Sequence, residues 1–165
     1  MRGHTIWLTG IEGSGKSTIA KRLYEAIKQE NKPVILLDNE ITRKTLSFDL
    51  GYSKYDNDKH ALRVVNVCYL ITSSDILNIA SIDAPNKKTR SYARSLIKDF
   101  TEVYVKCSEE TAISSQIQGL YSRPLFQNNN FDEPYRPNII LDRDKYTIQE
   151  CYNKLLQYLK ERNII

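Results

Sequence analysis

Eight residues near the N-terminus constrain this chain more than any other feature: Gly10-Ile11-Glu12-Gly13-Ser14-Gly15-Lys16-Ser17 satisfies G-x-x-x-x-G-K-[ST]. The pattern needs a strand before it and a helix after it. His4 to Thr9 (HTIWLT) is a short apolar run ending at Gly10, which reads as a buried strand. From Lys16 the apolar positions Ile19, Ala20, Leu23, Ala26 and Ile27 recur at helical spacing. The N–H groups of such a glycine loop turn inward and, with the positive end of the helix, hold phosphate oxygens. The expected ligand is ATP, bound by Gly10, Glu12, Gly13, Ser14, Gly15, Lys16, Ser17 and Thr18. Lys16 is expected to reach the β and γ phosphates. The Ser17 hydroxyl is expected on Mg²⁺, a hard cation that takes oxygen ligands.

The remaining chain continues the alternation of strand and helix. Pro33 to Leu37 (PVILL) reads as a second buried strand, with Asp38 at its carboxyl end, where open α/β sheets place their chemistry. A polar segment from Asn39 to Lys59 is expected to cross the surface before a helix from His60 to Thr72. Further strands are expected over Ile76 to Ile82, Glu102 to Lys106 and Ile139 to Leu141, with helices over Thr89 to Ile97 and Glu109 to Gln116. A closing helix runs from Thr147 to Arg162, with Thr147 and Glu150 spaced as a capping box. This order predicts an α/β fold of three layers, a central parallel sheet of about five strands with helices on both faces. Residues 118–137 are polar, aromatic and long for a structureless connection, which reads as a lid loop. No repeat or linker divides the chain, so residues 1–165 are expected to form a single domain.

Composition narrows the ligand. With 41% hydrophobic and 27% charged residues the chain is an ordinary globular one, which excludes the disordered and fibrous classes. A net charge of +4 suits an anionic ligand, but the basic residues are spread along the chain. A small phosphorylated substrate is therefore expected, and no nucleic acid polymer. Cys68, Cys107 and Cys151 lie far apart without metal-ligand spacing and read as small core thiols. No stretch approaches the ~20 apolar residues of a membrane span, and the first apolar run breaks too early for a signal peptide. A cytoplasmic setting without a membrane partner is expected.

Triphosphate binding alone leaves open a kinase, an NTPase that drives motion or switching, and a nucleoside or sugar kinase. Larger pieces narrow the choice. GIEGSGKSTIAKRLYEAI at 10–27, LLDNEITRKTL at 36–46, LGYS at 50–53, LRVVNV at 62–67, Pro85 with Arg90 and Arg94, EVYVK at 102–106, QGLYSRP at 118–124 and FDEPYRP at 131–137 occur in one order. In these pieces the chain resembles the adenylylsulfate kinase family of P-loop enzymes, which phosphorylate the ribose 3′-hydroxyl of a nucleotide. The resemblance implies a homodimer. It places Asp38 and Glu40 at the family's D-G-D carboxylates, Asn39 replacing the glycine and Glu40 the second aspartate, so that Lys16, Asp38 and Glu40 are the expected catalytic residues. A carboxylate there accepts a hydrogen bond from the attacking hydroxyl or organises metal-bound water. Arg43 corresponds to a substrate arginine. Tyr52 and Phe131 correspond to aromatics that would sandwich a nucleobase.

The departures fall in the acceptor half. Where the family commonly reads D-R-x-x-N-x-R-R, this chain has Asn57 and His60 in place of the arginine and asparagine, while Arg63 is retained. The family's F-I-S-P becomes Ile82-Asp83-Ala84-Pro85, and Asp83 introduces a carboxylate able to accept from an exocyclic amine. In the lid, Ser115 and Gln118 replace cations ahead of Gly119 and Leu120. Arg43, Tyr52, His60, Arg63, Ile82, Asp83, Gln118, Gly119, Leu120 and Phe131 are the expected substrate residues. One branch resembling this family phosphorylates cytidine diphosphoramidate, a step toward bacterial capsule phosphoramidates, and the departures favour that acceptor. Adenylylsulfate is the alternative acceptor. An ATP-binding module with a decayed acceptor site is the alternative from another class.

Overall fold

The computed structural model describes residues 2–84, 86–117 and 131–165. Five strands form one sheet: β1 (His4–Thr9), β2 (Val34–Asp38), β3 (Leu77–Ser81), β4 (Phe100–Lys106) and β5 (Ile139–Asp142). They lie in the order β2-β3-β1-β4-β5, and every pairing is parallel. All five carboxyl ends therefore open on one edge, and β1 sits at the centre of it.

Strand alternation divides the core in two. Ile6 and Leu8 of β1 pack with α1 (Lys16–Gln29) and α6 (Ile148–Glu161) through Ile19, Leu23, Ile27, Leu155 and Leu159. Trp7, between them in sequence, points to the other face and joins Ala61, Val64, Val65 and Cys68 of α3 (Lys54–Ser73) and Ala93 of α4 (Lys87–Leu96). Period-two burial of this kind is what a parallel sheet covered on both faces requires. At about 25 cal/mol per Å² of apolar area, each fully buried Leu or Ile contributes roughly 1.5–3 kcal/mol. The closing helix carries the expected capping box, with Thr147 and Glu150 each bonding the other's main chain.

The segment between β2 and β3 differs from expectation. Residues 39–59 contain α2 (Asn39–Leu46), and α3 begins at Lys54 rather than His60. The two residues that α2 buries are Thr42 and Arg43, both polar, so no apolar periodicity betrays the helix. The early start of α3 rests on Ser53, whose side chain accepts from Asp56 N–H as an N-cap. A last helix, α5 (Glu109–Ile117), follows β4. Among the described residues no helix is long and apolar enough to cross a membrane. All three cysteines are free, and Cys68 and Cys151 are buried.

Candidate active site

The phosphate loop takes its shape from glycines with positive φ: Gly10 at 154°, Gly13 at 80° and Gly15 at 94°. A side chain at Gly10 would put Cβ 2.4 Å from Val105 O, so only glycine lets the loop leave β1 beside β4. Gly15 is the N-cap of α1 and supplies no side-chain cap, which leaves the first helical N–H groups for a ligand. Ser14 Oγ is buried with no partner among the described residues. Lys16 is buried, and its Nζ donates to Gly10 O at 2.9 Å and Ile11 O at 2.8 Å. Ser17 Oγ lies 3.4 Å from Ser81 Oγ at the end of β3. Glycine amides, an ammonium and a serine hydroxyl at one helix end form a donor set that fits a polyphosphate and a hard cation.

Acidic groups flank the loop. Asp38 is 4% exposed at the end of β2; its Oδ1 caps α2 by accepting from Glu40 N–H, and its Oδ2 is buried with no partner among the described residues. A buried, unsatisfied carboxylate oxygen is costly unless a cation or hydroxyl meets it, so this atom fits Mg²⁺ or its water, or the attacking alcohol. Glu40 occupies the first turn of α2 and pairs with Lys44 at 2.8 Å on an exposed face. Asp83, just past β3, is half exposed; one oxygen is 3.5 Å from Lys16 Nζ and the other accepts from Asn39 Nδ2 at 3.1 Å.

Helix α2 carries Arg43 inward. Its guanidinium donates to Gly51 O at 2.8 Å and to Asn57 Oδ1, and lies 5.1 Å from the Tyr52 ring centroid. Burial pulls its pKa below the ordinary value, against the opposing pull of Tyr52, Asp83 and Asp56. Arg43 Nε remains buried without a partner among the described residues, a donor suited to an anionic substrate.

Helix α4 carries a second cationic cluster. Arg90 is 2% exposed, donates to Ala84 O at 2.7 Å and to Asp132 O, and pairs with the buried Glu102 at 3.2 Å. Arg94 reaches the other Glu102 oxygen at 2.8 Å. The Arg90 guanidinium covers Phe131, whose ring stacks on Tyr104 at 6.0 Å between centroids, and Tyr104 Oη donates to Glu133 at 3.2 Å. Burial and Glu133 push the Tyr104 phenol up. Buried ion pairs and stacked rings thus tie residues 131–133 to α4 and β4.

The protein-family model described as "Adenylylsulphate kinase" matches residues 2–142. The chain belongs to that family. It is an ATP-dependent phosphotransferase acting on a hydroxyl group, with ATP as co-substrate and Mg²⁺ as the usual partner of the phosphate loop. It is 34% identical over 172 residues to the adenylyl-sulfate kinase of Halothermothrix orenii, covering 99% of this chain and 93% of the relative. It is 36% identical over 166 residues to that of Clostridium kluyveri, covering 95% and 83%. The solved APS kinase of Mycobacterium tuberculosis, in complex with AMPPNP and APS, superposes with a TM-score of 0.81 at 25% identity, covering 96% of this chain and 98% of that one.

The structure places the expected substrate residues as follows. Ile82 is fully buried in the core beside Trp7 and Ala84. His60 is fully buried: Nδ1 lies 2.9 Å from Ser47 Oγ and Nε2 lies 3.4 Å from Thr42 Oγ1, so both ring nitrogens serve the packing of α2 on α3. Burial, with Arg43 nearby, pushes the His60 pKa down to about 4. Arg63 forms a two-pronged pair with Asp49 at 2.5 and 2.8 Å on the surface and donates to Leu46 O. Tyr52 and Phe131 each pack against an arginine, Arg43 and Arg90 respectively. Gln118, Gly119 and Leu120, like the rest of residues 118–130 in the segment expected to be a lid, lie outside the described residues. Sequence reasoning missed Ser81 beside Ser17 and the Asn39–Asp83 contact. Both arise where ends of different strands meet, which no local pattern reports.

Proposed function

We propose that this kinase transfers the γ-phosphate of ATP to the ribose 3′-hydroxyl of adenylylsulfate. The observation that carries the reading is the buried, unpartnered Asp38 Oδ2 at the sheet edge that also bears the phosphate loop. In this reading the ribose O3′ attacks the γ-phosphorus, the bond from that phosphorus to the β–γ bridging oxygen breaks, and ADP leaves. Asp38 accepts the hydrogen bond of the attacking hydroxyl and then its proton. Lys16 balances charge on the transferring group, and Arg43 holds an anionic part of the acceptor. Glu40 sits two residues further along, on the exposed face, as a secondary carboxylate that shapes the local field. Ser17 would hold Mg²⁺, which would neutralise phosphate charge. The relatives' own names favour adenylylsulfate over a cytidine acceptor.

One observation favours a second reading, cytidine diphosphoramidate as acceptor. Asn57 and His60, at positions where the family carries an arginine and an asparagine, are turned to Arg43 and to Ser47 and Thr42. Supplying ATP with an equimolar mixture of the two acceptors and following the new phosphomonoester by ³¹P NMR decides between them. Product from adenylylsulfate alone supports the proposal, product from the cytidine compound supports the second reading, and turnover of neither defeats both.

A further inference from the structure

Two departures from the family pattern, Asn39 and Asp83, lie 44 residues apart in sequence and touch. The contact is reciprocal. Asn39 Nδ2 donates to Asp83 Oδ2 at 3.1 Å, and the Asp83 main-chain N–H donates back to Asn39 Oδ1 at 3.3 Å. This pair of bonds joins the end of β2 to the end of β3 and fixes the Asp83 rotamer. Oδ1 is thereby left 3.5 Å from Lys16 Nζ.

The environment of Lys16 gives that carboxylate its weight. An ammonium has three donors; two go to the carbonyls of Gly10 and Ile11, and the third direction meets Asp83. The Lys16 side chain is 7% exposed, and a charge so buried needs an opposite charge. Among the described residues, Asp83 is the acidic group paired with it. Asp83 lies past β3 on the β2 side of the sheet centre, the side that also carries Asp38. A base-reading role for Asp83 would compete with both of these contacts.

We propose that Asp83 is a positioning residue for the phosphate-loop lysine and that Asn39 acts through Asp83. The carboxylate draws the ammonium toward the acceptor side of the loop, where the phosphoryl group crosses, and Asn39 keeps the carboxylate aimed. This deepens the phosphoryl-transfer reading and rests on it, but not on which acceptor is used.

The test is a pair of cycles. Calorimetry with Mg·AMPPNP on wild type, Asp83→Asn, Lys16→Ala and the double variant needs no acceptor. Asp83→Asn is expected to weaken AMPPNP several-fold when Lys16 is present and to change it less than twofold in the Lys16→Ala background. In turnover, Asp83→Asn is expected to lower kcat about tenfold, within the range known for small misplacements of catalytic groups, with acceptor KM nearly unchanged. Asn39→Gly should lower kcat less, and Asn39→Gly with Asp83→Asn should be no worse than Asp83→Asn alone. Asp83→Glu, which keeps the charge, should recover part of the loss. Thermal midpoints and circular dichroism control for folding, and should Asp83→Asn fail to fold, Asp83→Glu and Asn39→Gly carry the kinetic arm. Equal weakening of AMPPNP in both Lys16 backgrounds overturns the proposal. So does tighter binding in Asp83→Asn with Lys16 intact, which would make Asp83 a repulsive charge only, and so do additive effects of the two cleft substitutions. Failure of wild type to phosphorylate either acceptor strikes the proposed function but leaves the AMPPNP cycle readable.

Discussion

Acidification provides a quantitative test of how α2 is held against α3. Thr42 Oγ1 donates to Asp38 O at 2.8 Å, which leaves its lone pairs for a proton on His60 Nε2, so that Nδ1 accepts from the Ser47 hydroxyl. This assigns the neutral Nε2–H tautomer from the partners. Burial and the Arg43 charge lower the ring's pKa from its ordinary 6.5 to about 4, while Asp83 opposes and Arg63 adds to the shift. A depressed folded pKa means that the unfolded chain binds the proton first. Stability is therefore fully present above pH 6.5 and is lost as pH falls toward 4. At 1.36 kcal/mol per unit, the loss reaches about 2 kcal/mol by pH 5 and about 3 kcal/mol in full. Urea unfolding of wild type and His60→Gln at pH 7.5, 6.5, 5.5 and 5.0 measures it. His4, also lowered chiefly by burial, titrates in both proteins and cancels in the difference. His60→Gln should be less stable at pH 7.5, by roughly 1–3 kcal/mol for the partners it leaves, and should lose less stability on acidification. Parallel curves for the two proteins from pH 7.5 to 5.0 would refute the account.

Other substitutions separate chemistry from scaffold. Asp38→Asn preserves a good N-cap for α2, so the thermal midpoint should hold while kcat falls by about 10² or more, as expected for a lost proton acceptor; steady-state rates that match wild type would remove Asp38 from the chemistry. Gly10→Ala drives a Cβ against Val105 O and should abolish Mg·AMPPNP binding in calorimetry even where the protein folds. Arg90→Met leaves Glu102 buried with Arg94 alone and should cost about 3 kcal/mol in urea unfolding, with part recovered by adding Glu102→Gln. Phe131→Ala should raise acceptor KM more than ATP KM, and equal effects on both would place the ring outside the acceptor pocket.

Much of the fold is visible in the residue pattern. The five strands are predicted in order, with ends within two residues of those observed, because each is a short apolar run bounded by turn residues. The phosphate loop is legible for a similar reason: a glycine-lysine-serine pattern between a strand and a helix has few other uses. Helix α2 escapes because it buries Thr42 and Arg43 instead of an apolar stripe.

Local chemistry, then, is written in the chain itself: glycines that tolerate positive φ, an ammonium and a hydroxyl at fixed offsets, and a carboxylate at a strand end. What tertiary structure alone decides is which polar groups are already engaged. The chain alone does not show that His60 has Ser47 and Thr42 beside its two nitrogens, or that Asp83 has Asn39 and Lys16 beside its two oxygens. The physical reason is that a side chain's availability is set by burial and by partners that parallel strands bring from dozens of residues away.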